Sequence, residues 1–219
     1  MTAFIEVSHP IVAGMKTYPG LPEPVAEVLM DYDASHERYA GKAEFLIASL
    51  HLCGNTGTYV DSPRHRFRDG LDLAGLPLEK LADLPIAVFD ATDSGRAIGP
   101  ELFAGADVSG RAVLVRTDFS KRWGTSAYFT DNPYLTAAAA HLLVESGARF
   151  AGIDSLNVDD VDDLSRPAHT ALLGAGIPVC EHMTNLSALH SGEGRLHAVP
   201  IAWAGGATFP VRAYVVGAR

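Results

Sequence analysis

Asn55-Thr56-Gly57-Thr58-Tyr59-Val60-Asp61-Ser62-Pro63-Arg64-His65 is the stretch on which the reading of this chain turns. An apolar, alternating run from Phe45 to Leu52 precedes it and an Asp69-Gly70 turn follows. It therefore reads as the end of a strand that delivers polar side chains into a pocket. Gly57 permits a bend or a close backbone approach, and Pro63 has no N–H with which to continue a ladder. Between them Asp61 offers an anionic ligand or base, and His65 an imidazole able to take up and release a proton. If the preceding strand (Glu44 to Cys53) runs on unbroken, its period of two places His51, Cys53 and Asn55 on one face. His51 and Cys53 are then candidate metal ligands beside Asn55, or side chains packed beneath the site.

Working outward, the 219 residues suit a single domain over residues 1–219. The formal net charge of −9 argues against a nucleic-acid partner, and Arg64, Arg66 and Arg68 are too few to reverse it. Cys53 and Cys180 do not make a disulfide framework. No apolar run approaches the roughly 20 residues that span a bilayer. The opening Met-Thr-Ala-Phe-Ile-Glu-Val has neither the basic start nor the apolar core of a signal peptide, so a cytoplasmic protein without a membrane partner is expected.

Along the chain, Ile5–Pro10 reads as a short strand, 24–30 as a weak one, and 31–42 as an exposed loop or hairpin. Buried strands are expected at 86–90 and 111–117, and further strands at 150–154 and 177–181. A helix is expected from Leu135 to Gly147, with its run of alanines and closing glycine. His169 falls at the start of a second, short helix, and Asn185–Leu189 forms a helical turn. The last strands are expected at 196–202 and 210–216. Asp159, Asp160, Asp162 and Asp163 read as a solvated turn, lacking the glycine and glutamate of a calcium loop. Mixed strands with few helices point to an α/β fold. Asp61, His65, His169 and Glu181 make a scattered carboxylate and imidazole set suited to Zn²⁺ or Mn²⁺.

The opening stretch resembles the signature H-x-G-T-H-x-D-x-P-x-H of the cyclase family that includes bacterial kynurenine formamidases and isatin hydrolases. Gly57-Thr58, Asp61, Pro63 and His65 match it; Asn55 and Tyr59 stand where its first two histidines are expected. Gly152-Ile153-Asp154-Ser155, and His169 followed by Glu181 and Asn185-Leu186, extend the likeness to nearly the whole chain. The resemblance implies a swivelling β/β/α-type fold with a barrel-like mixed sheet. It implies Asp61, His169 and Glu181 as the retained metal ligands and His65 as the acid/base. It also implies a substrate-side loop carrying Trp123 and Tyr128, and a homodimer or homotetramer. An amide at Asn55 is a weak ligand, and the Tyr59 phenol must lose a proton to bind a metal well.

Three functions follow as expectations. One is a metal-dependent hydrolase that opens a formamide, cyclic amide or lactone, as an arylformamidase does. Another is a metal-independent cyclase or isomerase, in which Tyr59 and Asn55 polarise the substrate while His65 and Asp61 move protons. The last is a small-molecule binding protein without turnover.

Overall fold

The computed structural model describes residues 2–218 and is built on a strongly curled, nine-stranded mixed sheet. The strands in chain order are β1 (Thr2–Glu6), β2 (Val25–Met30), β3 (Ile47–His51), β4 (Tyr59–Asp61), β5 (Leu84–Asp90), β6 (Ala97–Ile98) and β7 (Ala112–Arg116). They continue with β8 (Tyr134–Leu135), β9 (Phe150–Ile153), β10 (Val179–Glu181), β11 (Arg195–His197), β12 (Thr208–Pro210) and β13 (Tyr214–Ala218). The α-helices are α1 (Tyr32–Arg38), α2 (Ala137–Glu145) and α3 (Pro167–Gly174). The sheet runs β1-β13-β11-β5-β7-β9-β10-β4-β12, while β2–β3 and β6–β8 form separate two-stranded ribbons.

At the centre, β5, β7, β9 and β10 are parallel, with α2 and α3 in the connections that lead into β9 and β10. A parallel core buries both faces, and the apolar runs of these strands supply both. On β7, Val113 and Val115 join a cluster with Ala139, Ala140, Leu143 and Leu172 of the two helices. Its alternate residues, Ala112 and Leu114, face the opposite cluster with Ile86, Phe150, Cys180 and Met183. This packing makes the strand ends that carry the polar residues a rigid support.

Two antiparallel pairings decide where the polar residues meet. β4 lies between β10 and β12, with Tyr59 opposite Glu181 and Asp61 opposite Thr208. Directly opposed residues share a face, as do Tyr59 and Asp61 two positions apart, so the register alone gathers four side chains.

Several expectations are corrected. The strand before the motif does not continue to Asn55: β3 ends at His51, and the chain turns into a different sheet. A Cβ at Gly54 would clash with the Thr208 carbonyl oxygen, and Gly57 has φ +65°, so both turn residues need glycine. His51 and Cys53 are consequently not on a face with Asn55; His51 lines a separate, largely apolar hollow with Leu50, Leu52 and Phe209. Residues 32–38 form a helix rather than a loop, because the Asp31 carboxylate caps the Ala34 N–H at 2.8 Å. The expected strand 196–202 stops at His197 ahead of Pro200, and 210–216 is split at Pro210 between β12 and β13.

Candidate carboxylate and imidazole centre

His169 lies in the first turn of α3 and is buried. Its orientation comes from Asp159, which accepts from the backbone N–H groups of Ala168 (2.6 Å) and His169 (3.1 Å) and from His169 Nδ1 at 2.6 Å. The residue preceding the helix, Arg166, makes no side-chain cap, so Asp159 does this from a distance. Asp159 is therefore buried and engaged, not part of a solvated turn; only its neighbours in the acidic run behave as expected of a surface loop.

With Nδ1 fixed by Asp159, Nε2 points at Asp61 Oδ2 and Glu181 Oε1, each 3.5 Å away. Both His169 Nε2 and Asp61 Oδ2 are buried without a hydrogen-bond partner among the described residues. Burial opposes a charged His169, but Glu181, Asp159 and Asp61 outweigh it and push its pKa up to about 10. Burial likewise works against the Asp61 carboxylate; the charges of His65 and His169 and the Thr208 hydroxyl overcome it and hold its pKa below the usual value. Glu181 is raised, by burial and the Asp61 charge against the pull of His169. The centre calls for a cation, whether proton or metal ion.

Tetrahedral zinc with bonds of about 2.1 Å sets its ligand atoms roughly 3.4 Å apart, and the 3.5 Å separations match that spacing. A carboxylate on the far nitrogen of a ligating histidine is the usual companion of such a site, and Asp159 holds that place. One atom each of Asp61, His65 and His169 also lie within 4.8 Å of one another. The residues present thus fit a metal ion. Glu181 uses one lone pair of Oε1 for the Val158 N–H (2.6 Å) and keeps another.

His65 sits after Pro63 in a 3₁₀ turn (Pro63–His65) and is partly exposed to the cavity. Thr208 Oγ, opposite Asp61, donates its single proton to Asp61 Oδ1, so it accepts from His65 Nδ1 at 3.0 Å. The Nδ1–H form leaves His65 Nε2 as the nitrogen with a free lone pair.

The other side of the centre is closed. Tyr59 donates to Glu181 Oε2 at 2.7 Å. Its oxygen therefore accepts from His182 Nε2 at 3.3 Å, and His182 Nδ1 accepts the Tyr128 hydroxyl at 2.9 Å. Burial, with His9 in support, lowers the His182 pKa to about 3, and burial raises both phenols well above their ordinary range. The order of donation is thus Tyr128 to His182 to Tyr59 to Glu181. Tyr59 acts as a neutral donor to Glu181.

A cavity of about 400 Å³ opens over this centre, lined by Asn55, Tyr59, His65, His169 and Glu181. Its outer wall includes Tyr18, Leu21, Leu164, Arg66 and Arg166. Asn55, Tyr59, His65, His169 and Glu181 are therefore brought to one cavity, with Asp61 beneath them. Trp123 and Tyr128 stand behind it: Trp123 stacks on His9 at 4.1 Å, and Tyr128 is buried against His182. Sequence reasoning missed Asp159, His182 and Thr208. Asp159 had a signal, since it stands ten residues before His169 at a Pro-led helix start. His182 and Thr208 had none, being placed by a φ of +55° and by strand register respectively.

Fold and centre together define a class of α/β protein in which paired strands and a helix start converge on a carboxylate and imidazole cluster under an open cavity. More particularly, residues 5–160 match the family model described as “Putative cyclase”, and the chain belongs to the cyclase family. It is similar to kynurenine formamidase of Bacillus anthracis, 30% identical over 214 residues, which cover 97% of this chain and 96% of the relative. Kynurenine formamidase of Salinibacter ruber is 29% identical over 218 residues, covering 96% of each chain. Among solved structures, isatin hydrolase A from Labrenzia aggregata bound to benzyl benzoate shares the fold. Its TM-score is 0.86 at 23% identity, covering 100% of this chain and 94% of that one. No helix among the described residues is long and apolar enough to cross a membrane.

Proposed function

We propose that this chain is a metal-dependent hydrolase that opens a C–N bond in a formamide or cyclic amide, or a lactone ester, in the manner of an arylformamidase. Asp61, His169 and Glu181 are the residues that would hold a single zinc or manganese ion. The observation that carries this reading is the pair of partnerless buried atoms, Asp61 Oδ2 and His169 Nε2, 3.5 Å apart with Asp159 behind the imidazole. When bound, such an ion would supply a water whose pKa is lowered to about 7 and a Lewis acid for the carbonyl.

The chain's own residues do the rest. His65 lines the cavity and, with Nδ1 engaged, keeps the Nε2 lone pair free, so in this reading it takes the proton of the attacking water and returns it to the leaving nitrogen or oxygen. Thr208 and Asp61 hold that tautomer by fixing Nδ1–H. Tyr59, itself positioned by His182, fixes Glu181, and Asn55 beside it offers an amide to a substrate carbonyl. Tyr18, Leu21 and Leu164 offer apolar surface to a planar substrate body. Val28, Leu29, Phe45, Leu46 and Leu50 are exposed along the β2–β3 ribbon and its approach, which supports the expected homo-oligomer.

The experiment is turnover of a panel of aryl formamides, cyclic amides and lactones before chelation, after chelation and after metal is returned. Loss and recovery of hydrolysis are expected. Turnover that survives thorough chelation would move the chemistry to the protons of His169 and His65.

A further inference from the structure

Arg66 and Arg166 both line the cavity over the centre. Arg66 directly follows His65, and Arg166 stands three residues before His169, so both flank the two imidazoles, whose ring centroids are 5.7 Å apart. Neither guanidinium has a carboxylate within 4.0 Å among the described residues. Arg66 donates from Nε to Thr170 Oγ (3.0 Å) and from Nη2 to the Ser165 carbonyl (3.4 Å). Arg166 donates from Nη1 to the Asp160 carbonyl at 3.0 Å. Asp163 lies near enough to feel the Arg166 charge without pairing with it.

Arg96, Arg111, Arg116, Arg195 and Arg212 each pair with an aspartate or glutamate. In a chain of net charge −9, carboxylates are plentiful, yet these two cavity cations are oriented by neutral acceptors and keep their charge. Arg166 also holds φ +50°, a left-handed backbone that disfavours a side chain of its kind. Each guanidinium retains unused N–H donors in a planar fork suited to a carboxylate.

We propose that Arg66 and Arg166 form a carboxylate-recognition subsite, so that the substrate is an aryl amide acid and not a neutral cyclic amide. The acid group lies toward the two arginines and the scissile bond toward Asp61 and His169, with the ring against Leu21 and Leu164. The fate of the bond rests on the hydrolase reading above; recognition of the anion does not.

The test separates the two. Calorimetry compares 2-, 3- and 4-aminobenzoate, none of which has a bond to hydrolyse, with the neutral aminoacetophenone of the same substitution. At least one acid is expected to bind more tightly than its ketone. Arg66→Gln or Arg166→Gln should narrow that preference about tenfold, the order of one charge-assisted hydrogen bond. Arg64→Gln, which removes an exposed arginine bonded only to the Arg68 carbonyl, should leave the preference intact. Added salt should erode it, because the subsite is open to solvent. No acid preference at any position, or one that survives both cavity variants in folded protein, would overturn the proposal. Turnover of the matching formamidobenzoates, run in parallel, reports on the hydrolase reading separately: binding without turnover leaves the subsite standing and removes the reaction.

Discussion

Two buried histidines sit on either side of Glu181 and are treated oppositely by their surroundings. His169 has carboxylates at both nitrogens and a pKa pushed, against its burial, to about 10. His182, one residue beyond Glu181, has phenols at both nitrogens and is lowered by burial to about 3. The same side chain thus marks a half of the centre that demands a cation and a half that must stay neutral. The lesson concerns Asn55 and Tyr59: they stand where the family signature has histidines, and the fold has rebuilt that half as a chain of neutral hydrogen bonds. The single ion proposed for this centre would sit on the His169 side.

Breaking the cationic half should have the largest effect. His169→Gln leaves Asp61, Asp159 and Glu181 buried without their counter-charge, a loss on the order of 3–5 kcal/mol of stability, and should abolish turnover. Denaturant unfolding and the hydrolysis assay read both. Asp159→Asn weakens the same half from behind: metal affinity should fall about 10–100-fold in a protein that still folds, as competition with a metallochromic indicator would show.

The neutral half is expected to yield less. Tyr59→Phe removes the donor to Glu181 and should cost about 1–2 kcal/mol and about tenfold in kcat, with metal retained. His182→Gln should behave similarly, because it acts on Glu181 only through Tyr59.

The contrast also runs through pH. The folded pKa of His182 lies below the unfolded value of 6.5, so the unfolded chain takes up the proton first. Stability should therefore decline as pH falls from 6.5 toward 3, and His182→Gln should flatten that decline. His169 runs the other way. In metal-free protein its contribution is complete below pH 6.5 and is lost as pH rises toward 10. Melting temperatures across both windows, for each variant, check the signs.

The buried parallel strands and the helix at 137–145 were legible in the sequence because apolar run length and alanine content state them locally. So was the membership of Asp61, His65, His169 and Glu181 in one set, through their side-chain chemistry and the family signature. What was not legible depends on register and turns. Thr208 reaches Asp61 only because β12 pairs with β4, a contact across 147 positions. Asn55 leaves the face of His51 because Gly54 packs on the Thr208 carbonyl. Helix 32–38 carries no apolar stripe and is set by one capping aspartate. Trp123 and Tyr128, expected to touch substrate, instead pack against His9 and His182, and nothing in an aromatic loop's composition separates a wall from a foundation.

The most direct measurement is the metal content per chain by elemental mass spectrometry, on protein purified without chelator or a metal-binding tag, for the wild type, His169→Gln and Tyr59→Phe. One zinc or manganese ion per chain is expected in the wild type and in Tyr59→Phe, and none in His169→Gln. Two ions per chain, loss of metal in Tyr59→Phe, or metal retained in His169→Gln would contradict the division of the centre into a cationic and a neutral half.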